Sequence, residues 1–279
     1  QLIRQLSAAL SPVYGKDDTP WLVRMIFEHL KGWSQTDILL HQSDEVSDFI
    51  VRASTEITEK VAAGQPIQYV LGETWWHGLR IKVTPAVLIP RPETSQLVDI
   101  IGDYYKGREN MNVLDLCTGS GCIAIGLAKT LSFAKITAVD ISSAALEVAR
   151  ENAVMNKVKI NFIEADVLIP LPFHAEEFDL IVANPPYVLE SEKGEMATHV
   201  VDHEPNIALF VPDFDPIMFY NSIANQAIGF LKNGGRLFFE INPLCADSIK
   251  KMLLEKGFEE VSIEADMFGR KRFAIASKA

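Results

Sequence analysis

The residues best suited to chemistry form one tetrapeptide, Asn184-Pro185-Pro186-Tyr187, directly after the apolar run Leu180-Ile181-Val182-Ala183. Proline cannot donate to a strand ladder, so two in succession must end the strand and stiffen the chain behind it. The Pro185 carbonyl is then left without an obvious helical partner, near the amide oxygen of Asn184 and the planar ring of Tyr187. Two acceptors and a flat ring make a cradle for a planar group that carries NH₂. Pro-Pro alone would read as a turn, but its place at a strand end, beside the features below, points to a site.

Those features also fall after strands, where open parallel sheets bind ligands. Asp115-Leu116-Cys117-Thr118-Gly119-Ser120-Gly121 follows one strand and opens a helix. Glycines there allow close approach to the backbone, and a helix N-terminus favours an anionic group. The loop lacks the third glycine of the dinucleotide fingerprint, Ala124 standing there, so by itself it reads equally well as a tight turn. Asp140 lies 21 residues past Gly119, the usual distance for an acceptor of ribose hydroxyls. Its alternative role is a cap ahead of Ser142 and Ser143. Asp166, with Val167 next to it, could accept from an adenine amino group while the valine packs on the ring; the alternative is a solvated loop acid. His199 and His203 sit four residues apart with Glu204 adjacent, but no further ligand pattern accompanies them and no metal is expected.

Three kinds of segment must hold these residues. Residues 1–72 read as helical: Trp21, Val23, Arg24, Ile26, Phe27 and Leu30 recur near helical spacing. The run from Ser43 to Ala63 does the same through Val46, Phe49, Ile50, Ala53, Ile57 and Val61, with Gly64 and Pro66 to stop it. Residues 73–90 read as a hairpin linker, with a turn at His77-Gly78 and Leu79, Ile81 and Val83 alternating with polar residues. Trp75 and Trp76 read as packing residues. Residues 91–279 alternate helix and strand: helices over 93–105, 122–131, 143–155, 216–231 and 246–255, and strands over 112–116, 135–139, 159–163, 178–183, 236–241, 260–264 and 272–276. This α/β pattern predicts a parallel sheet covered on both faces. Only seven residues join the last two strands, too few for a parallel crossover, so the final strand is expected to run antiparallel.

Composition narrows the partners. At 279 residues, 48% hydrophobic and 23% charged, the chain is long and apolar enough for a substantial core and is not a disordered type. No apolar run suggests a membrane span, and the start shows no secretory signal pattern. The sequence begins at Gln1, and a trimmed terminus is expected. Cys117, Cys122 and Cys245 form neither a disulfide framework nor a zinc pattern, which suggests a reducing, cytoplasmic setting. The first 90 residues hold 8 basic and 10 acidic residues and the remainder 18 and 27, for a net charge of -11. Neither part has the basic footprint of a nucleic-acid binder, so direct nucleic-acid binding is not expected.

The tetrapeptide resembles those of S-adenosylmethionine-dependent methyltransferases that act on planar amino groups, both adenine amino methylases and glutamine-amide methylases. Within that class the chain resembles the release factor glutamine methyltransferases over nearly its whole length. The match runs through Gly64-Gln65-Pro66-Ile67-Gln68-Tyr69-Val70-Leu71-Gly72, Val87-Leu88-Ile89-Pro90-Arg91-Pro92-Glu93-Thr94, Val113-Leu114-Asp115-Leu116 with Thr118-Gly119-Ser120-Gly121, the tetrapeptide, and Glu204-Pro205-Asn206-Ile207-Ala208-Leu209-Phe210. Pro-Arg-Pro-Glu-Thr is far more specific than the glycine loop. Cys117 stands where the family usually has the first loop glycine, and Val211-Pro212-Asp213 replaces a commonly glycine-rich stretch.

The resemblance implies a Rossmann-like methyltransferase sheet with a small N-terminal helical domain that recognises substrate. The implied reaction methylates the side-chain amide nitrogen of the Gly-Gly-Gln glutamine in class 1 peptide chain release factors. S-adenosyl-L-methionine is then the cofactor and S-adenosyl-L-homocysteine the product. Asp115, Cys117, Thr118, Gly119, Ser120, Gly121, Asp140, Asp166, Val167 and Asn184 are expected at the cofactor. Asn184, Pro185, Pro186 and Tyr187 are expected at the substrate, with Asn184, Pro185 and Tyr187 catalytic. A monomer is expected. An adenine-amino methyltransferase acting on DNA or RNA is the alternative, and a non-catalytic module that kept the fold is a more distant one.

Overall fold

Period and capping dictate the elements of the first 72 residues. The computed structural model of the chain describes residues 1–41 and 44–279. Helix α1 (Leu2–Lys31) breaks at Gly15, which takes φ 76 and ψ 175, and Gly32 ends it in the left-handed conformation. Helix α2 (Gln35–Leu40) begins with a capping box between Ser34 and Asp37. Helix α3 (Asp48–Ala62) starts at the Ser47 cap. The helical run predicted from Ser43 therefore begins later, and Ser43 itself lies outside the described residues. Pro66 then precedes α4 (Ile67–Leu71), and Gly72 caps it at φ 76.

The hairpin follows as β1 (Glu73–Trp76) and β2 (Leu79–Lys82), with His77 and Gly78 both at positive φ as a two-residue turn requires. Next come α5 (Pro92–Tyr104), β3 (Asn112–Leu116), α6 (Cys122–Thr130), β4 (Lys135–Asp140), α7 (Ser143–Met155), β5 (Ile160–Glu164) and β6 (Phe178–Ala183). The chain then forms β7 (Val188–Leu189), α8 (Thr198–His203) and β8 (Phe210–Val211). It closes with α9 (Met218–Phe230), β9 (Leu231–Glu240), α10 (Ala246–Glu255), β10 (Phe258–Ala265) and β11 (Lys271–Lys278). No helix among the described residues is long and apolar enough to cross a membrane.

The chain divides into two units, Gln1–Glu73 with Ala197–His203, and Thr74–Met196 with Glu204–Ala279. The first unit is thus discontinuous, taking α8 from the middle of the sequence. Its core is Leu6, Leu10, Leu22, Val23, Ile26, Phe27, Ile50, Val61 and Ile67. The Tyr14 hydroxyl ties α1 to α3 by donating to the Val61 carbonyl at 3.0 Å. Trp21 and Phe49, read from spacing as part of the apolar face, are exposed instead.

In the second unit the sheet order is β10-β11-β9-β6-β3-β4-β5. β5, β4, β3, β6 and β9 are parallel, and β11 runs antiparallel between β9 and β10, as the short last connection predicted. The hairpin belongs to this unit and is no free linker. Asn152 of α7, fully buried, accepts from the Lys82 N–H at 2.6 Å and donates to the Lys82 carbonyl at 2.9 Å. Trp76 is buried and donates from Nε1 to the Arg91 carbonyl at 2.8 Å, whereas Trp75 is exposed.

β9 starts earlier than the predicted strand. Its ladder slips between the Phe178–Leu231 and Leu180–Arg236 pairs, so the Asn233-Gly234-Gly235 segment, between the helix and strand read from the sequence, is an irregularity within the strand. The elements between β6 and α9 had no sequence counterpart, because two-residue strands and a six-residue helix are too short to show a period.

Candidate active site

Register assembles the site. Leu116 pairs with both Val139 and Ala183, Asp140 pairs with Glu164, and Ala183 pairs with Phe239. The next residues along each strand therefore emerge at one sheet edge: the glycine loop after β3, Asp140 at the end of β4, Ala165 and Asp166 after β5, and Asn184 after β6.

Cys117 turns the chain out of β3 at φ 60, a conformation in which a β-carbon is strained and glycine is at ease. That is the physical reason a glycine suits this position. Its thiol is pushed up by burial and by the nearby Asp140, Asp115 and Asp166 carboxylates, so it stays protonated. The Thr118 N–H donates to the Val139 carbonyl at 3.0 Å, and its hydroxyl donates to Asp115 Oδ2 at 2.5 Å. Asp115 is fully buried below the loop, and burial raises its carboxyl to about 7 against the pull of the Thr118 hydroxyl. Gly121 caps α6 at φ 79, and a β-carbon there would meet that of Ala149 at 3.1 Å. The Ser120 carbonyl accepts from Asn152 Nδ2 at 2.9 Å, which fastens the loop to α7 and, through the same side chain, to β2.

Asp140 ends β4 and ties the glycine loop to the start of α7. Its Oδ2 accepts from the Gly119 N–H at 2.8 Å and its Oδ1 from the Ser142 N–H at 2.9 Å, while Ser142 caps α7 through the Ala145 N–H. The carboxylate retains acceptor capacity, and the residue also lines the cavity described below. Burial raises its pKa, and the Ser142 and Gly119 N–H groups oppose the shift. Asp166 Oδ1 accepts from the Leu168 N–H at 2.8 Å. The Val167 carbonyl, held by Ser222 Oγ at 2.7 Å and Gln226 Nε2 at 2.9 Å, fixes the neighbouring apolar wall.

A cavity of about 320 Å³ lies over these strand ends. Cys117, Thr118, Gly119, Ser120, Asp140, Asp166, Val167, Asn184 and Pro186 line it. Asp115, Gly121, Pro185 and Tyr187 are not among its lining residues. Tyr187 is anchored through its hydroxyl. Its hydroxyl donates to Glu240 Oε1 at 3.1 Å, and the Arg272 guanidinium lies 6.0 Å from its ring centre. Burial and Glu240 together hold the phenol well above its ordinary pKa, so it is a hydrogen-bond donor and not a base.

Several residues that build the site were not singled out. Thr94, at the start of α5, donates to the buried Glu240 at 2.7 Å and stands 3.5 Å from Asn184 Nδ2. Glu204 pairs with Arg91, and the adjoining Ile207 and Ala208 line the cavity. Glu204, Arg91 and Thr94 lay within quoted motifs, but only folding shows what they touch; Glu240 and Asn152 carried no local signal. His203 Nδ1 donates to the His199 carbonyl at 3.2 Å, and no group of metal-ligating side chains occurs among the described residues.

Sheet order, glycine loop, strand-end carboxylates and the Asn-Pro-Pro-Tyr turn together define a Rossmann-like methyltransferase that uses S-adenosylmethionine. A 16S rRNA methyltransferase of Thermus thermophilus, solved with AdoMet and guanosine, shares this fold at TM-score 0.54 and 20% identity, over 74% of this chain and 50% of that one. A methyltransferase from Pyrococcus furiosus does so at TM-score 0.52 and 19% identity, over 72% and 90%. Residues 96–207 match the family model described as Methyltransferase small domain, and residues 1–72 the PrmC N-terminal domain. The chain is 37% identical to the release factor glutamine methyltransferase of Flavobacterium psychrophilum over 96% of its own length and 95% of that protein. It is 37% identical to that of Bacteroides thetaiotaomicron over 97% and 96%, and 33% to that of Lactococcus lactis over 98% and 97%. It belongs to the release factor glutamine methyltransferase family.

Proposed function

We propose that this chain methylates the side-chain amide nitrogen of the Gly-Gly-Gln glutamine in class 1 release factors, with S-adenosyl-L-methionine as methyl donor. The observation that carries this reading is the place of Asn184, which lines the same cavity as the glycine loop and Asp140. The adenine-amino alternative is not favoured by relatives that carry the release-factor name.

The cavity residues suit the cofactor. Its volume falls in the range of small-molecule sites, apolar Val167 adjoins Asp166, and Asp140 offers spare acceptor capacity beside a glycine-bearing turn. On this reading Asp140 takes ribose hydroxyls, Asp166 and Val167 take the adenine, and the Thr118–Ser120 segment takes the remainder. When bound, S-adenosylmethionine supplies a methyl group already activated on a sulfonium. An amide nitrogen is a poor nucleophile because its lone pair is delocalised into the carbonyl. The protein's task is therefore positioning and charge stabilisation, and no general base is required. Asn184 Oδ1 and the Pro185 carbonyl accept the two amide hydrogens, which favours positive charge as the nitrogen–carbon bond forms. The proton shed afterwards passes to solvent. Tyr187 supports the turn from behind through Glu240.

The first unit is the substrate-recognition element on this reading. Its acidic balance, 6 Lys/Arg against 11 Asp/Glu, suits docking of a protein more than tracking of phosphates. We further read the chain as a cytoplasmic monomer without direct nucleic-acid contacts. Transfer of labelled methyl to an intact release factor, compared with an isolated Gly-Gly-Gln peptide, tests the proposal. Strong labelling of the intact factor and weak labelling of the peptide is expected, since remote contacts supply most of the binding. No labelling of the intact factor contradicts it.

A further inference from the structure

Ala183 pairs with Phe239 across β6 and β9, so Asn184 and Glu240 are the next residues along adjacent strands. Glu240 is only 1% exposed, and it is a carboxylate at the foot of the substrate cradle that the mechanism above does not consume. Its Oε2 accepts from the Thr94 hydroxyl at 2.7 Å and its Oε1 from the Tyr187 hydroxyl at 3.1 Å. Arg272 approaches the same Tyr187 oxygen at 3.4 Å and is held in place by Asp266. Burial raises the Glu240 pKa, whereas the two hydroxyls and Arg272 favour its ionised form.

The proton inventory gives this arrangement a direction. A threonine hydroxyl has one proton, and that of Thr94 is committed to the carboxylate. Toward its other neighbour the Thr94 oxygen can only accept. That neighbour is Asn184 Nδ2, at 3.5 Å. With the carboxamide reversed, Asn184 Oδ1 would face an oxygen that has no proton left to offer. The NH₂ end is thus drawn back toward α5 and the carbonyl end is left for the cavity.

We infer that Glu240 and Thr94 form a relay that fixes the orientation of the Asn184 carboxamide, so that an acceptor and not a donor meets the substrate amide. Both are positioning residues, since neither is required to touch the reacting atoms. The inference deepens the proposed function, because it rests on Asn184 Oδ1 as the acceptor for the substrate NH₂. It also extends to Glu240→Gln: the Tyr187 hydroxyl keeps its acceptor only when the new NH₂ faces Thr94, and that orientation frees the Thr94 proton to attract Asn184 Oδ1 and reverse the side chain.

The test uses the full-length protein with Thr94→Val, Thr94→Ser and Glu240→Gln. Thr94→Val and Glu240→Gln are expected to lower kcat on an intact release factor by about tenfold or more, with its KM and the S-adenosylmethionine Kd within about threefold of wild type. Thr94→Ser, which keeps the hydroxyl, is expected to stay within about threefold of wild-type kcat. In protein labelled with ¹⁵N-asparagine, the side-chain NH₂ signal of Asn184, assigned by its loss in Asn184→Asp, is expected to move in Thr94→Val and Glu240→Gln and to stay near its place in Thr94→Ser. An unmoved Asn184 signal in Thr94→Val, or equal turnover losses in Thr94→Ser and Thr94→Val, overturns the relay. If wild-type protein transfers no methyl to the release factor, the functional reading fails, while the NMR signal still decides the relay.

Discussion

Arg91 and Glu204, 113 residues apart in the sequence, meet at 2.6 Å, and the second Glu204 oxygen accepts from the Ile89 N–H at 3.1 Å. One carboxylate with a 1% exposed side chain thereby joins the Pro-Arg-Pro segment ahead of α5 to the Glu-Pro-Asn segment that leads to Ile207 and Ala208. Both segments line the cavity. Two of the most specific motifs in the sequence are, physically, two sides of one clamp.

Removing the clamp should therefore affect stability and binding together. Glu204→Ala leaves a buried N–H unpaired and Arg91 without its partner. We expect a loss of about 2–4 kcal/mol, lowered from the range for fully buried pairs because Arg91 is partly exposed. Urea unfolding measures this. A raised S-adenosylmethionine Kd should accompany it in calorimetry, and unchanged values of both would show that the pair does not organise the wall.

Asn184 and Asp140 should separate turnover from cofactor affinity. Asn184→Ala is expected to lower kcat by about 100-fold, in the range seen when one group of a charge-stabilising site is lost, with little change in cofactor Kd. Asp140→Ala is expected to raise that Kd by about 10–100-fold, because a carboxylate acceptor is worth about 1.5–3 kcal/mol. Steady-state kinetics and calorimetry on the same preparations distinguish the two. The reverse pattern would exchange the assigned roles.

Cys117→Gly should stabilise the protein. The left-handed backbone costs a side-chain-bearing residue about 1–2 kcal/mol, and the extra freedom glycine brings to the unfolded chain offsets about half of it. A gain of about 0.5–1 kcal/mol in thermal or urea unfolding is expected. A loss would mean that the thiol's packing outweighs the strain at φ 60.

Asp115 gives stability a pH dependence of known sign. Its carboxyl is held at about 7 in the folded chain, against an ordinary value of 3.8. Below both values, folded and unfolded states alike are protonated. Between them the unfolded chain has lost the proton and the folded chain keeps it, so stability falls as pH rises and levels off above about 7. The slope from this one group is at most about 1.4 kcal/mol per pH unit. Asp115→Asn, which can still accept from Thr118, should remove it. The stability of Asp115→Asn relative to wild type is expected to rise between about pH 5 and pH 7, and a flat difference in urea unfolding would show that the carboxyl ionises normally.

What the sequence revealed about this site followed from locality. The strand-end positions of Asp140, Asp166 and Asn184 were legible because an apolar run followed by a polar residue or Pro-Pro marks where a strand stops. The antiparallel last strand was legible because a seven-residue connection permits little else. Cys117 was visible as a departure, and the backbone at φ 60 explains it. The Thr94–Glu240 bond was not legible: it spans 146 residues and has no period, so only the register of β6 and β9 brings its partners together. The same holds for Asn152, which looked like one more polar position on α7 and in fact binds both the glycine loop and the hairpin. For Tyr187 the local sequence shows a ring but not the buried carboxylate that anchors its hydroxyl.

In the proposed function the acceptor at the tip of β6 presents a glutamine carboxamide to the methyl donor. The most direct measurement is tandem mass spectrometry of a class 1 release factor after reaction with isotopically labelled S-adenosylmethionine, with Asn184→Ala as control. One labelled methyl is expected on the side-chain nitrogen of the Gly-Gly-Gln glutamine, greatly reduced in the variant. Label on any other residue, or label undiminished in Asn184→Ala, would contradict it.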